Sequence, residues 1–208
     1  MQNIQLSIII INYNVKELLL KCLASVYNNT NPSYVFEVIV VDNASTDKSI
    51  EAVKEKFPQA SVIENKNNLG FPAANNQGFR LAKGKYIFML NPDTEIDNDT
   101  LMILSDVLNK NSDIALVAPK LFNTDGSLQY SAWRFPTIRY IAADLFYLSK
   151  LIGSKYYTEK NFDQPFEVDS VSGAAMFFRK ELLDQYGFLN EKLFWIEDID
   201  LLPAKKSR

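Results

Sequence analysis

The chain has 208 residues, of which 47% are hydrophobic and 23% charged, a composition typical of a globular domain with a substantial core. The formal net charge is −3 and no basic surface pattern is visible, which argues against nucleic-acid binding. The sequence contains no histidine, which excludes Ser-His-Asp and Cys-His catalysis and imidazole-based zinc sites. Acid–base or metal chemistry must therefore come from carboxylates, lysines or tyrosines.

The single cysteine, Cys22, rules out an internal disulfide and fits a reducing, cytoplasmic compartment. Because it lies in an apolar helical pattern, we expect a buried and inert thiol. The apolar run at residues 7–11 is too short and too early to cross a membrane, and no signal peptide is visible. We expect a cytoplasmic protein whose membrane contact, if it has one, is peripheral and at the inner face.

The first half of the chain alternates between strand and helix patterns. Continuous β-branched runs predict strands buried on both faces, and apolar residues at helical spacing predict helices. In chain order the predicted segments are strand 6–12, helix 15–27, strand 36–41, helix 45–57 with Ser45 as N-cap, strand 60–64, helix 72–82 and strand 85–90. This alternation predicts an α/β fold with a mostly parallel central sheet and helices on both faces.

The second half is less regular. A helix is predicted at 100–109, a strand at 114–118 and a turn at 123–126, after which an aromatic-rich region reaches residue 169. Residues 139–152 predict a helix with one apolar face, which packs on the sheet edge or lies against a membrane surface. A strand at 168–178 and a short helix at 180–186 follow. No repeat or linker is visible, so we predict one domain.

Polar residues follow three of the predicted strands. They are Asn12 and Tyr13, then Asp42, then Asn91 and Asp93. Open parallel sheets bind ligands beyond the carboxyl ends of their strands, so these residues predict a crevice at one sheet edge. Asp93 has two interpretations: it caps a helix starting near Ile96, or it holds a divalent cation that binds a diphosphate.

Two further segments carry candidate chemistry. The loop with Asn68 and Gly70 precedes a predicted helix whose N-terminus either approaches a diphosphate or is simply capped. No GxGxxG or Walker motif occurs, which argues against dehydrogenases and NTPases. The run Glu197-Asp198-Ile199-Asp200 follows Trp195. Crowded carboxylates raise one another's pKa and so prepare a general base, or they form a solvated acidic helix start.

Taken together, these segments resemble the family 2 inverting glycosyltransferases of GT-A fold. The Asn91-Pro92-Asp93 form is typical of the rhamnosyltransferase-like branch, in which Asn91 replaces the first aspartate of the DxD metal motif. The resemblance runs in order through nearly the whole chain, at residues 8–14, 40–47, 68–71, 74–78, 90–94, 172–176 and 197–200.

The resemblance implies an enzyme that takes a sugar from a nucleotide-diphosphate donor, with dTDP-rhamnose favoured over a UDP-sugar. The acceptor is a saccharide or lipid-linked saccharide in surface polysaccharide synthesis, and the transfer inverts the anomeric centre. The resemblance also divides the domain into a nucleotide-binding half, 1–96, and an acceptor-side half, 97–208. The resemblance implies that the donor contacts Asn12, Tyr13, Asp42, Asn68, Gly70, Asn91 and Asp93, and that Asp93 binds Mg²⁺ or Mn²⁺. It implies that Asp198 is the general base. The acceptor is expected to contact Trp195, Glu197 and Asp200.

One departure from the family pattern leaves a second interpretation open. Family members continue past the acidic motif, whereas this chain ends eight residues after Asp200 and lacks the histidine that completes the metal or diphosphate site. The alternative is a C-terminally incomplete remnant that binds a nucleotide sugar but is catalytically impaired. A nucleotidyltransferase would need a basic, glycine-rich triphosphate loop after the first strand, and the sequence there is Asn12-Tyr13-Asn14-Val15.

Overall fold

Apolar, β-branched runs form the central strands, as the sequence predicts. The structure is a computed structural model that describes residues 4–135, 137, 156–157 and 160–192. Within these residues the strands are β1 (Leu6–Asn12), β2 (Phe36–Asp42), β3 (Ser61–Glu64), β4 (Tyr86–Leu90), β5 (Leu116–Val117), β6 (Leu121–Phe122), β7 (Leu128–Gln129), β8 (Ala132–Trp133), β9 (Ser170–Val171) and β10 (Ala175–Arg179). The helices are α1 (Lys16–Asn29), α2 (Ser49–Lys56), α3 (Phe71–Leu81), α4 (Thr100–Lys110) and α5 (Glu181–Tyr186).

A six-stranded sheet in the order β3-β2-β1-β4-β10-β5 forms the core. Strand β1 pairs in parallel with both β2 and β4, and β2 pairs in parallel with β3. Strand β10 is antiparallel to β4 and β5. Every residue of β1 and β4 is buried, which explains their continuous apolar sequences. The predicted mostly parallel sheet is confirmed.

Helices cover both faces of this sheet. A Cβ added to Gly78 of α3 would lie 2.6 Å from Cγ2 of Ile9, so α3 packs directly on that residue. Asn12 lies three residues further along β1 and therefore points to the opposite face. There its side chain reaches Ser49, the first residue of α2, at 2.7 Å. Helices α1 and α2 are in contact with each other.

Two predicted elements differ from the structure. Helix α2 begins at Ser49, four residues after the predicted cap Ser45, because Lys48 takes a left-handed φ of 60° that helix geometry excludes. The strand predicted at 168–178 is two strands, β9 and β10. A turn separates them because the N–H of Ser172 donates to Ser131 O, outside the ladder that β10 forms with β4.

The described residues form two compact units. One comprises the chain up to Pro119 together with the chain from Gly173 onward, and it contains the six-stranded sheet. The other, Lys120–Ser172, contains the hairpin of β6 and β7 and the pair of β8 and β9. The hairpin closes at the predicted turn, where Gly126 N–H donates to Asn123 O at 2.9 Å. The single domain stays a prediction.

Two predictions concern membrane contact. The helix predicted at 139–152 lies outside the described residues. None of the helices that the structure does describe combines the length and the apolar sequence needed to cross a membrane.

Candidate functional site

The carboxyl ends of three neighbouring strands meet at one edge of the sheet. Asn12, the last residue of β1, is paired in register with Asp42, the last residue of β2. On the other side of β1, Ile9 is paired with Met89, so β4 ends at nearly the same level. Asn91 follows directly after β4. The polar strand ends that the sequence singled out therefore lie along a single edge.

A buried pair, Asn12 and Asp42, forms the centre of this edge. Asn12 Nδ2 lies 2.7 Å from Asp42 Oδ1, 3.0 Å from Ser45 Oγ and 2.7 Å from Ser49 Oγ. The other carboxylate oxygen, Asp42 Oδ2, accepts the N–H of Ser45 at 2.9 Å. These contacts fix the orientation of the amide, because only its nitrogen can donate to the carboxylate. Asn12 Oδ1 is buried and makes no hydrogen bond with any described residue.

Asp47 connects the first turns of two helices, whereas sequence reasoning predicted only a cap of the second helix and assigned it to Ser45. Its Oδ2 accepts the N–H of Lys16, which begins α1, and its Oδ1 accepts the N–H of Ser49, which begins α2. Burial acts to raise the pKa of Asp47, but hydrogen bonds from Ser49 and Lys16 outweigh it and hold the pKa below its ordinary value. The signal in the sequence was an aspartate two residues before a helix start.

We expect Asp47→Asn to lower the free energy of unfolding at neutral pH by about 1–2 kcal/mol, because two helix N-termini lose an anionic acceptor. The folded-state pKa is lowered, so the carboxylate contributes fully above its unfolded pKa and less as the pH falls through the folded pKa. The stability difference between wild type and variant should therefore be constant above about pH 5 and shrink as the pH falls from there through the lowered folded-state pKa. Urea unfolding at a series of pH values measures it.

The matched control for this prediction is Asp106→Asn. Asp106 forms an exposed ion pair with Lys110 at 3.1 Å, so its loss should cost about 0.5 kcal/mol or less. A stability difference for Asp47→Asn that stays constant with pH would contradict the proposed double cap.

Two neighbouring connections contain left-handed residues other than glycine. Asn14, between β1 and α1, has a φ of 55°, and Ala44 and Lys48, between β2 and α2, have φ values of 66° and 60°. Asn14 tolerates this conformation, and its Oδ1 accepts the N–H of Thr46 at 2.8 Å. Ala44 has no such side-chain compensation, so its Cβ carries a steric cost of about 1 kcal/mol. The edge that holds Asp42 is therefore under local backbone strain.

Relief of this strain is expected to stabilise the protein. Ala44→Gly should raise the free energy of unfolding by about 0.5–1 kcal/mol, because glycine adopts a positive φ without the Cβ clash. Ala52→Gly, the same substitution at a buried position within α2, should instead lower it by about 1 kcal/mol. Comparison of the denaturant midpoints of the two variants with that of the wild type measures both effects. A loss of stability in Ala44→Gly would show that Ala44 is not strained.

The loop before α3 is held by amide side chains. Asn68 Oδ1 accepts the N–H of Gly70 at 2.9 Å, so that N–H is used inside the loop and is not directed at a phosphate. Gly70 has φ 83°, a conformation that favours glycine. Its carbonyl accepts Asn43 Nδ2 at 3.3 Å, and Asn43, Asn65 and Gln77 form a chain of amide hydrogen bonds. Sequence reasoning missed these three amides.

Asp93 does not cap a helix. Helix α4 begins only at Thr100, so the interpretation of Asp93 as the cap of a helix near Ile96 is wrong. The residues around it form a turn in which Thr94 N–H donates to Asn91 O at 3.1 Å, and Asn91 N–H donates to Ala174 O at 2.9 Å. Asp93 itself is exposed, and its carboxylate has no hydrogen bond or ion pair with another described residue.

The chemistry of Asp93 fits Mg²⁺ or Mn²⁺ as one carboxylate ligand among several. Carboxylate oxygens suit such hard cations, and Mg²⁺ is commonly held by one or two carboxylates together with substrate phosphates. In the part of the chain that the structure describes, no group of three His, Cys, Asp or Glu side chains could hold a metal. Asp93 would therefore be the carboxylate ligand of an ion whose other ligands include the phosphates of the substrate.

The thiol of Cys22 lies beneath this loop. It is fully buried and donates to Asn91 O at 3.6 Å. Burial, with smaller contributions from the nearby Asp93 and Glu95 carboxylates, raises its pKa well above the ordinary value. The predicted burial of the thiol is confirmed, and its inertness stays a prediction that the raised pKa supports.

Of the remaining predicted site residues, the structure describes Tyr13 but not the residues of the acidic motif. Tyr13, next to Asn12, is 50% exposed at the edge of the site. The predicted general base Asp198 and the predicted acceptor residues Trp195, Glu197 and Asp200 lie outside the described residues. The chain just before them is held by Asn76 of α3, whose side chain exchanges two hydrogen bonds with the backbone of Leu189 at 2.9 and 3.0 Å.

Comparison with known proteins finds a matching family profile and similar sequences. The profile described as Glycosyl transferase family 2 matches residues 7–187. A poly(ribitol-phosphate) beta-glucosyltransferase of Bacillus spizizenii is 36% identical over 127 residues, which cover 59% of this chain and 20% of that protein. An N-acetylglucosaminyl-diphospho-decaprenol L-rhamnosyltransferase of Mycobacterium tuberculosis is 23% identical over 180 residues, which cover 79% of this chain and 59% of that protein.

A solved structure shows the same fold. The mannosyltransferase PcManGT from Pyrobaculum calidifontis, in complex with GDP-Man and Mn²⁺, has a TM-score of 0.66 at 21% identity. The likeness covers 94% of this chain and 50% of that chain. This chain thus spans between a fifth and about three fifths of the length of the three proteins it is compared with.

Proposed function

Because the chain belongs to glycosyl transferase family 2, we propose that it binds a nucleotide-diphosphate sugar at the carboxyl edge of β1, β2 and β4 and transfers the sugar with inversion. The observation that carries this proposal is the placement at the same edge of a buried Asn12–Asp42 pair and an exposed Asp93 whose carboxylate has no partner among the described residues. The acceptor is a saccharide or lipid-linked saccharide of a surface polymer. The expected location is the cytoplasm or the inner face of the membrane.

Asp42 is the proposed contact for the nucleoside. Both of its oxygens already accept a hydrogen bond, from Asn12 and from Ser45, and each keeps a second lone pair for a base N–H or a ribose hydroxyl. The strained turn at Ala44, and Asp47 with its hydrogen bonds to the first residues of α1 and α2, keep the Asp42 carboxylate in place. Tyr13, Asn68 and Gly70 form the proposed sides of the nucleotide pocket.

Asp93 is the proposed contact for the diphosphate, through Mg²⁺ or Mn²⁺. When bound, such an ion neutralises charge on the departing diphosphate. The chain's own contribution is to hold the Asp93 carboxylate in the exposed turn after β4, which Asn91 connects to Ala174. The complex of the mannosyltransferase from Pyrobaculum calidifontis with GDP-Man and Mn²⁺ supports the use of a divalent ion together with a nucleotide sugar.

Asp198 is the proposed general base. The acceptor hydroxyl oxygen forms a bond to the anomeric carbon as the bond from that carbon to the diphosphate oxygen breaks, and the hydroxyl proton moves to Asp198. Glu197, Asp200 and Trp195 are proposed to bind the acceptor. These roles rest on the sequence motif alone.

The donor is proposed to be dTDP-rhamnose, with a UDP-sugar as the alternative. The rhamnosyltransferase named among the relatives supports the first, at an identity of only 23%. Calorimetric titration of the folded protein with dTDP, UDP and GDP, each with and without Mn²⁺, tests the proposal. We expect one nucleotide to bind at least about tenfold more tightly with Mn²⁺ than without.

The outcomes of this experiment separate the candidate functions. Absence of binding by any of the three nucleotides to a folded sample would overturn the donor site. Mn²⁺-dependent binding followed by release of sugar from the matching nucleotide sugar would support the transferase. Binding without turnover over hours would instead support the nucleotide-sugar-binding remnant.

A further inference from the structure

One face of α1 contacts the backbone of the loop that carries Asp93. Cys22, Ser25 and Asn29 are spaced three and four residues apart and therefore lie on the same side of the helix. All three side chains hydrogen-bond to backbone groups of the segment Asn91–Ile96, which we call the Asp93 loop. No sequence signal identified this contact, because it joins residues about 70 positions apart.

Ser25 and Asn29 hold the end of the loop. Ser25 Oγ accepts the N–H of Ile96 at 3.0 Å and donates to Cys22 O at 2.8 Å, so both hydrogen-bonding functions of the hydroxyl are used. Asn29 Nδ2 donates to the carbonyl of the same Ile96 at 2.7 Å. Both backbone groups of Ile96 are thus bound by α1. Because Ile96 and Ser25 are buried, loss of either hydrogen bond leaves a polar group without water.

The start of the loop is held from two directions. Cys22 Sγ donates to Asn91 O at 3.6 Å, and Asn91 N–H donates to Ala174 O at 2.9 Å. Between these two fixed ends lie only four residues, 92–95, and Thr94 N–H closes a turn back to Asn91 O. The carboxylate of Asp93 itself has no partner among the described residues. Its position therefore depends on the backbone that carries it.

We infer that Ser25 and Asn29 of α1 are positioning residues for the Asp93 carboxylate, and that they set its affinity for a divalent cation shared with a nucleotide diphosphate. This inference rests on the proposed function. Neither side chain touches the ligand; both act by fixing the backbone at Ile96. Partners that orient a metal ligand from outside commonly change metal affinity by about 10–100-fold when they are removed.

The test compares nucleotide affinity with and without Mn²⁺ in Ser25→Ala and Asn29→Ala. We expect the ratio of the two affinities to fall by about tenfold in each variant, while the affinity without Mn²⁺ stays within about twofold of wild type. Ser25→Thr, which retains the hydroxyl, should restore the ratio. Asn29 is only partly buried, so Asn29→Ala keeps the test valid if Ser25→Ala folds poorly.

The matched control is Ser105→Ala on α4. Ser105 is also a buried helical serine that donates to a carbonyl of its own helix, Leu101 O at 2.7 Å, but its second hydrogen bond is to Tyr34 and not to the Asp93 loop. The Ser105→Ala variant should have lower thermal stability, but the ratio of its nucleotide affinities with and without Mn²⁺ should not change. An unchanged ratio in both α1 variants, or an equal fall in Ser105→Ala, would overturn the inference. A wild-type protein with no Mn²⁺ effect would instead refute the proposed function on which it rests.

Discussion

Gly84→Ala is expected to lower the free energy of unfolding by about 3 kcal/mol or more. A Cβ at this position would lie 2.5 Å from Ser7 N and 2.6 Å from the carbonyl carbon of Leu6. Both atoms belong to the backbone of β1, so no side-chain rotation can relieve the clash. The segment entering β4 would have to separate from the central strand.

That separation would also break hydrogen bonds. Gly84 N–H donates to Ser7 Oγ at 2.8 Å, and Tyr86 N–H donates to Gln5 O at 3.0 Å. Thermal unfolding followed by circular dichroism measures the effect, and about 3 kcal/mol corresponds to a fall of roughly 6–12 °C in Tm for a chain of this size.

Gly126→Ala separates the clash from the general effect of replacing a glycine. Gly126 has φ 82°, and no atom of the described residues beyond its chain neighbours lies within 4 Å of its would-be Cβ, so only backbone strain of about 1 kcal/mol is expected. Equal losses of stability in the two variants would show that the close approach of Gly84 to β1 is not what matters.

Asp93→Asn is expected to abolish most of the Mn²⁺-dependent gain in nucleotide affinity, at least about tenfold, because the variant loses the charged oxygen ligand. Nucleotide binding without metal should remain, since the Asn12–Asp42 pair is unchanged. Stability should change by less than about 0.5 kcal/mol, because Asp93 is exposed and makes no contact among the described residues that the substitution removes. Calorimetry with and without Mn²⁺ measures the first effect and thermal unfolding the second.

Asp97→Asn provides the control for charge alone. Asp97 is an exposed acid four residues further along, and its backbone carbonyl, not its carboxylate, accepts the N–H of Thr100. The variant should retain the full Mn²⁺ effect. If Asp93→Asn also retains it, Asp93 is not the metal ligand.

Local sequence was enough to predict the central sheet. The runs that became β1, β2 and β4 are short, largely apolar and rich in β-branched residues, which is typical of strands buried on both faces, and their boundaries were predicted to within about a residue. The strand predicted at 168–178 failed because hydrogen bonds to distant segments, not local pattern, decide where it is interrupted.

The candidate site shows the same division between local and distant information. Asn12, Asp42 and Asn91 were recognisable because strand ends share an edge in a parallel sheet. Asp47 was missed because one of its two partners, Lys16, lies 31 residues earlier. The contact of Ser25 with Ile96 spans 71 residues and leaves no periodic signal in the sequence.

The position of Cys22 gives the Asp93 loop a chemical reporter. It is the only thiol in the chain, and it is completely buried under that loop. A thiol-modifying reagent can react with it only when this part of the structure opens, so the labelling rate reports how often α1 separates from Asn91–Ile96. A ligand that holds the loop closed slows the labelling. Occupancy of the site can thus be followed without any sugar transfer.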